Sequence, residues 1–88
     1  MQTKREAKMP RRKSETIIPV APVDRLIRIS GAERVSESGA VALAKILEEL
    51  GLEIARLADE MAKHTGRKTI KEEDINLAYK TWKKTKYT

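Results

Sequence analysis

The chain has 88 residues, with 19 Lys or Arg against 13 Asp or Glu, a net charge of +6, one His and no Cys or Phe. That length makes one small domain at most, where a single core is marginal and help from a partner is expected. The missing Cys excludes disulfides and thiolate metal sites, the lone His leaves little for catalysis, and no run suits a membrane span or secretory signal.

The expectation is therefore a soluble, intracellular protein with no cofactor, no metal and no small-molecule substrate, whose basic excess favours a polyanionic partner. Residues 1–16 carry net +4, no hydrophobic period and Pro10, which predicts a disordered basic tail. Such a tail serves either as a solvated extension or as an arm along phosphate backbones, where each neutralised phosphate releases counterions.

Residues 17–35 follow with net +1. Pro19 and Pro22 suit the entry and first turn of a helix, where a missing N–H costs nothing. Val23, Leu26, Ile27 and Ser30 would form its apolar face, and Gly31 ends it as a C′ glycine. Gly31 to Val35 is then a tight connection to the next helix.

That next helix is predicted over Ser36 to His64, net −3, with Ser36 as N-cap and Glu37 suiting the positive end of the dipole. Large apolar residues recur at Leu43, Leu47, Leu50, Ile54, Leu57 and Met61, the 4-3-4-3-4 spacing of one helical face. Beside them runs a lane of small residues, Ala40, Ala44, Gly51, Ala55, Ala58 and Ala62, which would let another backbone approach. Such a helix is roughly 40 Å long, whereas a compact globule of about 70 residues is only about 30 Å across.

Residues 65–88 return to net +4. Thr65-Gly66 is a stop signal, Arg67-Lys68-Thr69 a second loop, and Thr69 with Glu72 a capping box. A third helix is predicted from about Ile70 to Lys83, with an apolar face of Ile70, Ile75, Leu77, Ala78 and Trp82. The expected organisation is a tail over 1–16, a folded domain over 17–84 and a frayed end over 85–88. Two short helices cover only the ends of the long one, leaving Leu47, Leu50 and Ile54 in water. Each such side chain is worth roughly 1.5–3 kcal/mol on burial, a large part of a domain's net stability. The geometry therefore predicts an obligate dimer that crosses at the long helix.

The strings PVAPVDRLIR, GAERVS, LAKILEEL and HTGRKTIKEEDINLA, across about residues 19–83, resemble an archaeal histone of the histone-fold family. The extension 1–16 departs from many archaeal histones, and its composition is similar in kind to eukaryotic histone tails. The resemblance implies an all-α histone fold, short–long–short, in an intertwined handshake dimer. It also implies short bridges between Arg34-Val35 of one chain and Thr69-Ile70 of the other. Function would follow as sequence-nonspecific binding, bending and wrapping of double-stranded DNA on the chromosome, in nucleosome-like or extended superhelical chromatin.

By the same resemblance, Arg34 enters the minor groove, while Arg25, Arg28, Lys68, Thr69 and Lys71 contact or flank phosphates. Arg67 and Asp74 would brace the second loop, and Leu43, Leu47, Leu50, Ile54 and Leu57 would form the dimer core. Met61, His64, Asp74 and Leu77 would join adjacent dimers, with His64 and Asp74 as a polar pair. Gly31, Lys45, Glu49 and Glu73 would serve stacking of superhelical turns. The partner chain is either an identical copy or another histone.

Plainer readings stand beside these. His64 at a helix end suits dipole compensation, Lys45, Glu49 and Glu73 suit a solvated face, and Trp82 suits packing. Two other classes compete. A histone-fold component of a transcription complex would bind mainly protein, but has no need of both basic loop clusters. An enzyme would need convergent acids or a Gly-rich phosphate loop, which the sequence lacks.

Overall fold

The computed structural model describes residues 16–87 and contains three helices, α1 (Val20–Ile29), α2 (Glu37–His64) and α3 (Glu72–Tyr87). Among these residues there is no strand. The basic tail up to residue 15 lies outside them. The chain divides into two compact units between Ile46 and Leu47, and α2 runs through both.

In the first unit, Pro19 occupies the cap position of α1 in an extended conformation (φ −60°, ψ 142°). Pro22 falls in the first turn, where backbone N–H groups have no helical acceptor anyway. The end of α1 is closed by Ser30, whose N–H reaches the carbonyls of Leu26 and Ile27 at 3.2 and 3.1 Å. Its hydroxyl donates to the Ile27 carbonyl at 2.6 Å. Ser30 thus serves the helix end and is exposed, which corrects its expected place on the apolar face. Gly31 then turns the chain at φ +116°, a conformation that a Cβ disfavours. The start of α2 is capped as expected: the Ser36 hydroxyl oxygen accepts the Gly39 N–H at 3.0 Å. Val23, Ala40, Val41 and Ala44 are buried here.

In the second unit, α2 stops in a Schellman arrangement. Gly66, at φ +77°, donates to the Lys63 carbonyl at 2.9 Å, and Arg67 N–H to the Ala62 carbonyl at 3.0 Å. The third helix starts two residues later and ends four later than expected. The cap position falls at Lys71 and not at Thr69: the Lys71 N–H donates to the Asp74 carboxylate three residues on at 2.8 Å, the back half of a capping box set two residues later than expected. At the other end, Glu53 accepts the Trp82 indole N–H at 2.6 Å and pairs with Lys86 at 3.6 Å. Thr85 and Lys86, expected at a frayed end, lie within α3. The Tyr79 and Trp82 rings stack at 6.3 Å, and the Lys83 ammonium lies 5.3 Å from the Tyr79 ring centre.

Burial on α3 follows Asp74, Ala78 and Trp82, a spacing of four residues. Ile70, Ile75 and Leu77, on the expected apolar face, are uncovered in the single chain, Leu77 by 54%. The small lane of α2 differs from the expectation that it serves a second copy. Ala40, Ala44, Ala58 and Ala62 are already buried inside their own units, where a methyl side chain lets a neighbouring helix come close. Gly51 is exposed, with open space where a Cβ would stand.

The large seam residues behave oppositely. Leu43 in the first unit, and Leu47, Leu50, Ile54, Leu57 and Met61 in the second, are only half-buried. Among the described residues no large side chain is fully buried. A chain with such a thin core needs a second apolar surface, and association then contributes to stability by mass action. The thermal unfolding midpoint should therefore rise with protein concentration over about a hundredfold range. A midpoint independent of concentration would show that a single chain is self-sufficient.

Candidate nucleic-acid interface

Two short loops, one in each unit, present exposed basic residues, with Arg25 and Arg28 on the helix that leads into the first. In the first, Arg34 lies between the Gly31 turn and the Ser36 cap, and Arg25 lies on α1; both are exposed, with no protein partner among the described residues. Arg28 is exposed too, but it is engaged. Its Nε donates to Asp24 Oδ1 at 2.5 Å, and one terminal nitrogen donates to the Glu33 carbonyl at 3.3 Å.

The second loop is held more tightly. Arg67 donates through both terminal nitrogens to Asp74, at 2.9 and 3.0 Å, and also to the Thr69 carbonyl at 3.0 Å. Such a two-pronged guanidinium–carboxylate pair is geometrically demanding and strong for its kind. Asp74 is 5% exposed, so its charge needs these partners. The Arg67 hydrogen bonds, and next the Lys71 N–H, hold the Asp74 carboxyl down from its ordinary 3.8 to about 2. The same pairing raises the Arg67 guanidinium. Lys68, Thr69 and Lys71 are left exposed on the braced loop.

The remaining candidates are spread over the surface. Lys45, Glu49 and Glu73 are exposed, as are His64 and Leu77, while Met61 is half-buried. Three hydrogen bonds occupy the Asp74 carboxylate out of about four acceptor directions, the open one being on Oδ1. Charge at the helix starts is unequal. The first turn of α1 contains no acid, whereas that of α3 holds Glu72, Glu73 and Asp74. The α1 start is therefore the better anion-facing end.

Residues 16–79 match the family described as histone-like transcription factor (CBF/NF-Y) and archaeal histone. The chain belongs to this histone-fold family. It is 59% identical over 63 residues to one of the subunits of archaeal histone HAN1 from Thermococcus zilligii, covering 72% of this chain and 94% of that one. Over 61 residues it is 49% identical to probable archaeal histone 3 of Methanocaldococcus jannaschii, covering 69% and 91%. A mouse (Mus musculus) histone of Bbd type 1 is 41% identical over 76 residues, covering 84% and 68%. The three helices are those of the all-α histone fold, which forms as a handshake dimer. A histone-fold protein of this kind is an architectural DNA-binding protein of the chromosome and not an enzyme.

Two features of this histone escaped the sequence. The Asp24–Arg28 pair, four residues apart on one helix, went unread, and nothing local shows that the same guanidinium also reaches the Glu33 carbonyl. Glu53 sits 29 residues from Trp82, with no periodic signal linking them.

The sign of the pH dependence follows from Asp74. Its carboxyl is depressed in the folded chain, so its stabilisation is fully present above 3.8 and is lost as pH falls through about 2. Asp74→Asn should remove this acid dependence of the second loop and lower the unfolding midpoint at pH 7. Titrating both proteins by circular dichroism between pH 7 and the acid limit tests it, and identical acid profiles would sever Asp74 from loop stability.

Proposed function

We propose that two copies of this chain, or one with another histone, pair so that the first loop of each meets the second loop of the other. Arg34-Val35 then bridges to Thr69-Ile70, and the paired loops form a convex basic surface that bends and wraps double-stranded DNA. The observation that carries this reading is a pair of loops of histone-fold sequence, each presenting exposed cations with no protein partner. Arg25 and Arg34 on one side, and Lys68, Thr69 and Lys71 on the other, suit phosphates and the minor groove, which position a protein without reading bases. Arginine in the minor groove is how the eukaryotic octamer holds DNA. The acid-free start of α1 adds a dipole end of the right sign.

The half-buried seam of Leu43, Leu47, Leu50, Ile54 and Leu57 forms the dimer core in this reading. Dimers join through Met61, His64 and Leu77, with His64 approaching the open acceptor of Asp74 on the next dimer. If each dimer end repeats that contact, the assembly is open and continues as a superhelix. Gly31, Lys45, Glu49 and Glu73 then face adjacent turns, where any one surface ion pair is worth about 0–1 kcal/mol. Because DNA must bend, flexible sequences bind better than stiff ones.

Mobility shifts on random-sequence duplexes across a salt series test the binding. Affinity should fall steeply with salt, with a slope of about −0.9 per neutralised phosphate. Arg34→Ala should weaken binding on all sequences and flatten the slope by roughly 1 for each copy in the complex. Unchanged affinity would remove Arg34 from the DNA surface, and tight binding at one site alone would favour the transcription-factor branch of the family. Nuclease digestion of reconstituted complexes should give protected lengths that increase in regular steps, whereas one fixed length means a closed particle.

A further inference from the structure

We infer that Arg28 is a positioning residue, which together with Asp24 clamps the first loop and sets the direction in which Arg34 is presented. The inference rests on the DNA-binding reading above for its consequence, though the clamp belongs to the free protein.

The argument begins with the loop's own hydrogen bonds. Gly31 turns the chain at positive φ, and the Ser36 cap fixes the start of α2. Between them, among the described residues, Ala32 to Val35 make a single hydrogen bond: the Glu33 carbonyl accepts from Arg28 at 3.3 Å. That carbonyl shares one peptide plane with the Arg34 N–H, and the plane is rigid. Holding its oxygen therefore orients the backbone from which the Arg34 side chain departs.

Arg28 can do this because it is itself held. Its Nε is bound to Asp24 one helical turn earlier, at 2.5 Å. A planar guanidinium anchored at one edge aims its remaining N–H groups in fixed directions, as a lysine ammonium does not. The second loop uses the same construction. There Arg67 is anchored on the Asp74 carboxylate and donates to the Thr69 carbonyl at 3.0 Å. In each unit an arginine thus ties a carboxylate on a helix to a carbonyl in the basic loop. The first clamp is the weaker, since its side chains are 52% and 33% exposed against 29% and 7% in the second.

Electrostatics and clamping make opposite predictions for Asp24. As a bare anion on a DNA-facing helix it repels phosphate, so Asp24→Ala should tighten binding. As half of a clamp it supports binding, and Asp24→Ala should weaken it, by about two- to fivefold for an exposed pair. Arg28→Lys keeps the charge but loses the fork, and should weaken binding to a similar extent with the salt slope unchanged, since the number of cations that meet phosphate stays the same. The double variant should be no weaker than either single one, because both break the same contact.

The deciding measurement is made without DNA. Backbone ¹⁵N relaxation of the full chain should show the Arg34 order parameter falling in Asp24→Ala and in Arg28→Lys. An unchanged Arg34 order parameter, or tighter DNA binding by Asp24→Ala, overturns the clamp. Arg34→Ala, assayed in parallel, separates the two ideas: if it binds DNA as wild type does, the DNA role of the loop fails, while the relaxation result still decides the clamp.

Discussion

On α2 the chain covers its small residues and leaves its large ones half-exposed, and most of the molecule's behaviour depends on that division. Alanines at 40, 44, 58 and 62 let neighbouring helices come close, so burial inside each unit is complete but shallow. The stripe from Leu43 to Met61 is left for a second surface. Burying such residues is worth roughly 1.5–3 kcal/mol apiece, comparable in total with the whole net stability of a small domain. Association therefore adds to the stability of the fold, in keeping with the handshake dimer of this family. The net −3 of the long helix is consistent with a stripe that meets protein, while the basic excess lies in the segments before and after it.

The loops face a different constraint. A cation that is to meet phosphate must stay exposed, and an exposed loop loses conformational entropy when it is ordered on a ligand. Bracing the loop beforehand reduces that cost. The second loop is braced by a buried carboxylate with three donors, and the first by an exposed pair with one reach across the turn. The arginines therefore separate into two kinds. Arg67 and Arg28 hold backbone, whereas Arg25 and Arg34 have no protein partner among the described residues and are available to a polyanion.

Much of the fold was legible because its signals are local. Ser36 caps α2, Gly31 and Gly66 take positive φ at the helix ends, and the 4-3-4-3-4 spacing marked the stripe that stays open. The Arg67–Asp74 brace was legible through resemblance and is present as two parallel bonds. The differences share one cause. Periodicity gives a face but not which neighbour covers it, so Ser30 serves a helix end while Ile75 and Leu77 stay uncovered in the single chain. The far end of α3 is tied to Glu53 on another helix, and its start lies at Lys71, whose N–H donates to the Asp74 carboxylate.

The sequence by itself determined the element order, the bounds of α2, the need for a partner surface and the two basic loops. Each of these rests on interactions within about four residues, or on counts of apolar and charged side chains. Only the tertiary structure decided which stripe of α2 is already covered and which arginines are already engaged. Those outcomes depend on which neighbour covers each stripe, and on distances of a few tenths of an ångström between groups as few as two to seven residues apart. A hydrogen bond exists or fails on that scale, and no local pattern encodes it.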